Sequence, residues 1–172
     1  MKSKRLWMAI KNKKQSDVIW DSDLKIIQLE DAADLARLMD VAYQGTIDHE
    51  GETIQECEAE MLSTMSGKYG PFVQKASCVI FKDNKAVSAC LITIWKDQPL
   101  IAFAMTDPDY QGQGLAKHLI LKALDQLAKE SYESLYLVVT DGNEAAQSLY
   151  YKMGFKELGE ALPKQPPPFF EF

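Results

Sequence analysis

Gln111, Gly112, Gln113, Gly114, Leu115, Ala116 and Lys117 follow one another in a polar turn that runs straight into an amphipathic pattern. The start of a helix has N–H groups with no intrahelical partner and the positive end of the helix dipole. Glycines there let the backbone close around an anion with no Cβ in the way. The chemistry on offer is therefore phosphate binding by main chain. Two familiar versions of it do not fit. A dinucleotide fingerprint needs a third glycine where Lys117 stands, and a P-loop needs Gly-Lys-Ser/Thr. A tight strand-to-helix turn with no ligand also accounts for two glycines at this place.

The elements that must position this turn can be read from hydrophobic period. "LKIIQLE" (24 to 30) predicts a strand, and Asp31 with Asp34 opens a helix whose Leu35, Leu38, Met39 and Ala42 form a stripe that stops near Gly45. Thr53 and Glu56 have the spacing of a capping box before a second helix, with Ile54, Cys57, Met61 and Met65 on one face, ending at Gly67. "ASCVIF", the turn "KDNK" and "AVSACLITIW" predict an antiparallel hairpin. "LIAFAMT" (100 to 106) is nearly all apolar, as expected of a strand buried on both faces at the centre of a sheet.

After the glycine turn, Leu115, Leu119, Ala123 and Leu127 recur every fourth residue, with Ala116, Ile120, Leu124 and Ala128 beside them, so this helix lies on a sheet. "SLYLVV" predicts a strand, Asn143 begins a helix with Ala146, Leu149, Tyr150 and Met153 on its stripe, and "GFKELG" starts a last strand. The fold class is α/β of the α+β type in the order β-α-α-β-β-β-α-β-α-β, in one domain spanning residues 1–172. Residues 1–23 form an N-terminal extension that these patterns do not place. The tail "LPKQPPPFFEF" cannot be helical through its prolines; its aromatics close a sheet edge or make a subunit contact, a homodimer included.

Bulk properties narrow the function classes. A net charge of −6 argues against general nucleic-acid affinity, and no apolar run approaches membrane-spanning length. Cys57, Cys78 and Cys90 are odd in number and lack C-x-x-C spacing, which points to reduced, buried thiols in a cytoplasmic protein and gives no metal framework.

The stretch Gln111 to Ala116 resembles the Q/R-x-x-G-x-G/A motif of the GCN5-related N-acetyltransferase (GNAT) family, with Ala116 at the position where glycine or alanine occurs. It follows "MTDP" at the expected distance. "NEAAQSLYYKMGF" resembles the family's second stretch, with Asn143, Ala146, Leu149, Tyr150, Gly154 and Phe155 in the usual spacing. The resemblance implies the GNAT fold, a central mixed, mostly antiparallel sheet of about six to seven strands with helices on both faces. It also implies acetyl-CoA as cosubstrate and transfer of its acetyl group to a primary amine, borne by a small molecule or a peptide, by direct attack in a ternary complex.

On that resemblance the pyrophosphate would sit on the backbone of Gly112 to Lys117, and the pantetheine arm along Ala104, Met105 and Thr106. The thioester would face the gap between strands 100–106 and 134–139, near Asn143 and Tyr150. By spacing alone Tyr150 reads as a core aromatic and Asn143 as a helix cap; the resemblance gives Tyr150 the role of protonating the departing thiolate. In this fold the connection "AYQGTIDHEGET" (42 to 53) commonly borders the acceptor site. Tyr43, Thr46, Asp48 and Glu50 fall in it, and Asp48, His49, Glu50 and Glu52 would make an acidic rim for a cationic amine. The same acids also suit a solvated loop ahead of a helix. The chain differs from the ribosomal-protein N-terminal acetyltransferases, which carry a glutamate on the strand before Asn143, by having Val138 there. The general base is therefore unassigned. A noncatalytic acyl-CoA-binding or regulatory module is the alternative reading.

Overall fold

Two tight turns set up the middle of the sheet. Asp83 and Asn84 have φ of 50° and 61°, and Lys96 and Asp97 have 50° and 67°. Paired left-handed residues match the twist of antiparallel strands, and Asp and Asn tolerate that conformation better than most side chains. The turns join β3 (Cys78–Lys82), β4 (Lys85–Trp95) and β5 (Gln98–Thr106) into a meander. The structure, a computed structural model, describes residues 3–12 and 23–171.

Four further strands complete the sheet: β1 (Arg5–Lys11), β2 (Leu24–Ile26), β6 (Ser134–Thr140) and β7 (Lys156–Glu160). The order across it is β2-β3-β4-β5-β6-β1-β7, and only β5 and β6 run parallel. This is the mixed, mostly antiparallel sheet expected, with one strand more at the start of the chain. Arg5–Lys11 fall in the stretch that sequence patterns left unplaced, and they form an interior strand between β6 and β7. Residues 13–22 of that stretch lie outside the described residues. The strand expected over 24–30 is shorter: it ends at Ile26 and gives way to a 3-10 turn over Leu29–Asp31. Buried Asp31 drives this, accepting from the Gln28 N–H at 2.7 Å and from Lys25 Nζ at 3.2 Å.

Helices α3 (Leu115–Lys129) and α4 (Glu144–Met153) cover one face; α1 (Ala32–Tyr43) and α2 (Ile54–Met65) cover the other. On α3 the predicted stripe is the buried one: Leu119, Ile120, Ala123, Leu124 and Leu127 are at most 1% exposed. Each large aliphatic side chain so buried contributes about 1.5–3 kcal/mol before entropy is counted. The α1–α2 face stops at β5, so the far half of that face is left to Trp7, Ala9 and Tyr136. The tail reaches them, with the Phe170 ring edge-on to Tyr136 at 5.6 Å.

The capping box is present as predicted. Glu56 N–H donates to Thr53 Oγ1 at 3.1 Å, and Thr53 N–H donates to Glu56 Oε2 at 3.0 Å. Replacing Thr53 by alanine should cost about 1 kcal/mol of stability. A denaturant titration with an unchanged slope would check it, and a midpoint equal to wild type would remove the cap from the account.

Candidate active site

The site begins with one extra residue. Leu91 on β4 lies opposite Phe103, yet the next residue, Ile92, lies opposite Ile101, so Ala102 bulges out of β5. A bulge bends its strand and shifts which face each side chain takes. Ile101 packs toward α3 and α4, whereas Phe103 and Met105 pack toward α1 and α2. Pairing with β6 ends at the same point, at Leu100↔Tyr136 and Ile101↔Leu137. Beyond it the two parallel strands diverge. The burial pattern of β5 records the opening: Ala102, Phe103 and Ala104 are half-buried in the middle of an otherwise buried sheet.

A cleft of about 590 Å³ occupies that gap. Its walls are residues 101–104 of β5 and 137–140 of β6, closed by Asn143, Ala146 and Tyr150 of the α4 segment and by Met39 and Tyr43 of α1. Ile47, Asp48, Glu50 and Glu52 come from the α1–α2 connection, and Ser3 and Arg5 from the start of the chain.

Asp48 is the best-held polar group in it. Thr140 Oγ1 donates to Asp48 Oδ1 at 2.6 Å, and Asn143 Nδ2 donates to Asp48 Oδ2 at 3.1 Å. Asn143 also caps α4 by accepting from Ala146 N–H at 3.4 Å, so one side chain serves the helix and the loop. Each carboxylate oxygen has more than one lone pair, so these two bonds leave Asp48 able to accept from a ligand.

Two tyrosines flank this carboxylate. Tyr150 is 8% exposed, and among the described residues its hydroxyl has no hydrogen-bond partner. Burial pushes its pKa far above the ordinary phenol value, with Cys90 and the Asp48 charge adding to the effect. Tyr43 is raised in the same way, first by burial, then by Tyr150 and Asp48. Both phenols therefore stay protonated through the physiological range. The chain turns after Tyr150 through Gly154 at φ 103°, which accepts the left-handed cap and brings Phe155 back onto the Tyr150 ring at 5.6 Å.

The glycine turn stands beside the cleft rather than in its wall. Gly112 and Gly114 both have φ of 77°, and Gly114 is the left-handed N-cap of α3 with no side-chain cap. A Cβ on either would meet nothing within 4 Å. Conformation, not crowding, selects glycine here, and the space a side chain would take at either position is open. Asp107 fastens the approach to the turn: it accepts from Asp109 N–H at 2.9 Å and pairs with Lys85 at 3.4 Å.

Of the residues singled out by sequence, the structure brings Ala104, Asn143, Tyr150, Tyr43, Asp48 and Glu50 to the cleft. Gln111, Gly112, Gln113, Gly114, Leu115, Ala116 and Lys117 lie at the start of α3, outside its walls. The Met105 side chain is buried under α1 and α2, and Thr106 Oγ1 is taken up by Ser88 Oγ at 2.9 Å. Thr46 is exposed and turned back onto its own loop, donating to the Tyr43 carbonyl at 2.8 Å. Sequence reading missed Thr140, Arg5 and the bulge at Ala102. Nothing local marks Thr140, because its bond to Asp48 spans 92 positions.

With the geometry in place, comparison with known proteins identifies the family. The Acetyltransferase (GNAT) family model matches residues 38–155, and the chain belongs to that family. Among curated proteins it is similar to the ribosomal protein bS18 alanine N-acetyltransferase of Escherichia coli, 33% identical over 76 residues, 44% of this chain and 51% of that one. The chain thus spans about half the length of the curated relatives it matches. Two solved structures share the fold. A GCN5-related N-acetyltransferase from Sphaerobacter thermophilus has a TM-score of 0.69 at 13% identity, covering 92% of this chain and 49% of the other. The PaiA N-acetyltransferase from Thermoplasma acidophilum, in complex with coenzyme A, has 0.62 at 20% identity, covering 77% and 88%.

Proposed function

We propose that the protein transfers an acetyl group from acetyl-CoA to a primary amine by direct attack in a ternary complex. The observation that carries this reading is the cleft opened by the Ala102 bulge, lined by an unspent phenol, Tyr150, and a braced carboxylate, Asp48. Membership of the GNAT family supports it, as does the name of the Escherichia coli relative. The open turn at Gly112 and Gly114 suits a diphosphate, with the N–H groups of Leu115, Ala116 and Lys117 as donors. The diverging edge of β5 from Ala104 to Thr106 suits an amide-bearing arm that adds to the strand.

Acetyl-CoA would supply the activated acetyl group, whose C–S bond breaks as the C–N bond forms. Asp48 orients the incoming ammonium and, directly or through a water, receives the proton that must leave before the nitrogen can attack. Tyr150 passes its proton to the sulfur and regains one from the nitrogen side. Of the two protons the nitrogen sheds, one ends on the thiol and the other leaves to solvent. The enzyme's main contribution is proximity and a prepaid orientation. A cytoplasmic setting goes with this reading, and the three buried free cysteines suit it.

Free-thiol release from acetyl-CoA over a panel of amino acids, polyamines, aminoglycosides and short peptides, corrected for the rate without acceptor, tests the proposal. Amine-dependent release is expected. Coenzyme binding with no release from any amine would favour the noncatalytic module instead. For the turn, replacing Gly114 by alanine should cost about 1 kcal/mol, because an L side chain at positive φ is strained. Coenzyme A affinity should fall severalfold with it, read by calorimetry; unchanged affinity would take the phosphates away from this turn.

A further inference from the structure

Arg5 sits on the first strand, where no sequence pattern reached, yet it lines the cleft. Its place is fixed by backbone on two sides. The Arg5 carbonyl accepts from Ala161 N–H at 2.8 Å, and the neighbouring Lys4 carbonyl accepts from Asp141 N–H at 2.8 Å. In the β1–β6 register Arg5 lies directly opposite Thr140. Directly opposed residues of antiparallel strands project their side chains to the same face. The threonine that braces Asp48 and the guanidinium therefore leave the sheet side by side.

The charges are arranged in two poles. Asp48, Glu50 and Glu52 enter the cleft from the α1–α2 connection, while Arg5 is the one cationic side chain among the described residues that line it. Glu52 is already engaged, accepting from Glu50 N–H at 3.1 Å and lying 3.4 Å from His49 Nδ1. Arg5 makes no ion pair with a carboxylate of the described residues, although Asp48 is anchored on the residue opposite it. An acceptor consisting of an ammonium alone would use Asp48 and leave the guanidinium with nothing to bind.

We infer that the acceptor is an amine that also carries an acidic group, a carboxylate or a phosphate, a few bonds from its nitrogen, with Arg5 binding that group while Asp48 holds the ammonium. Arg5 is then a specificity-determining residue. A guanidinium matches planar or tetrahedral oxyanions with a fork of donors, and charge-assisted bonds of this kind change affinity by about tenfold or more. The inference rests on the transferase reading for its chemistry but not for its test, because binding is measurable without turnover.

The experiment uses matched pairs: lysine with cadaverine, phenylalanine with phenethylamine, and O-phosphoethanolamine with ethanolamine. Binding to the full chain saturated with coenzyme A is followed by calorimetry, and thiol release from acetyl-CoA is followed separately. At least one acidic member should bind about tenfold tighter than its partner lacking the acid, and the pair that does so distinguishes carboxylate from phosphate. In Arg5→Ala the preference should collapse toward one through KM, with kcat for the acidic acceptor little affected, and Arg5→Lys should recover part of it. Arg5-dependent binding without acetyl transfer would keep this inference and overturn the transferase reading. Equal or tighter binding of every partner lacking the acid, a preference that survives in Arg5→Ala, or no binding of any acidic member would overturn the inference.

Discussion

Replacing Tyr150 by phenylalanine is expected to lower kcat by roughly tenfold to a hundredfold while leaving coenzyme A affinity within about twofold. The substitution removes one oxygen and little else. The ring keeps its contact with Phe155, and the hydroxyl it loses has no partner among the described residues, so the fold loses no hydrogen bond there. What disappears is the one phenolic proton of α4 that faces the cleft. The pH dependence is a second reading of the same role. Burial raises this phenol above its ordinary value, so it remains protonated on the alkaline side, where an exposed tyrosine would begin to ionise. The proton-donor requirement should therefore produce no alkaline fall in kcat between pH 7 and about 10. A phenylalanine variant that turns over at the wild-type rate would remove Tyr150 from the mechanism, and a wild-type alkaline loss of kcat that persists in that variant would assign the ionisation to another group.

Asp48→Asn should be comparably severe, with kcat/KM for the amine falling by about a hundredfold. Asparagine has nearly the same shape and can still bond to Thr140 or Asn143, so the loop need not move. It lacks the charge that holds an ammonium and the basicity that takes its proton. These losses separate with pH. On the proposed mechanism wild type deprotonates the bound ammonium itself, whereas the variant must wait for amine that is already neutral. Its rate should climb about tenfold per pH unit below the amine's own value, closing on wild type in alkali. A deficit constant at every pH would mean that Asp48 binds without accepting the proton. Thr140→Val, which removes only one of the two braces, should cost less, about three- to tenfold.

Much of this could be read locally, and what was missed shares one cause. The capping box at Thr53 and Glu56, the α3 stripe and the left-handed glycines each depend on residues within a few positions of one another. Periodicity and turn chemistry report such features directly. β1 was invisible because "RLWMAIK" sits in a basic stretch and is short; only its partners β6 and β7, more than a hundred residues on, make it a strand. The bulge at Ala102 was invisible for a different reason. In the run "LIAFAMT" every position is apolar or nearly so, and a shift of face leaves no trace where both faces accept the same residues. The Asp48 to Thr140 bond joins two segments whose local patterns say nothing of each other. The motif positions were legible because glycine at a turn and tyrosine on a helix stripe are local facts; that Tyr150 and Asn143 face the gap between β5 and β6 followed from the family resemblance and not from periodicity.

The insertion of β1 between β6 and β7 also sets the order of events as the chain is made. The strand emerges first, but both of its neighbours are in the last third of the sequence. The meander β3-β4-β5, with its two-residue turns, can form while synthesis continues, since its contacts are close in sequence. The half of the sheet that carries Arg5 and Thr140 must wait, with Leu6, Trp7 and Met8 uncovered in the interval. The end of the sheet that carries the proposed amine site is thus the last part of this sheet to close, and its apolar strand β1 is the segment left longest without its partners.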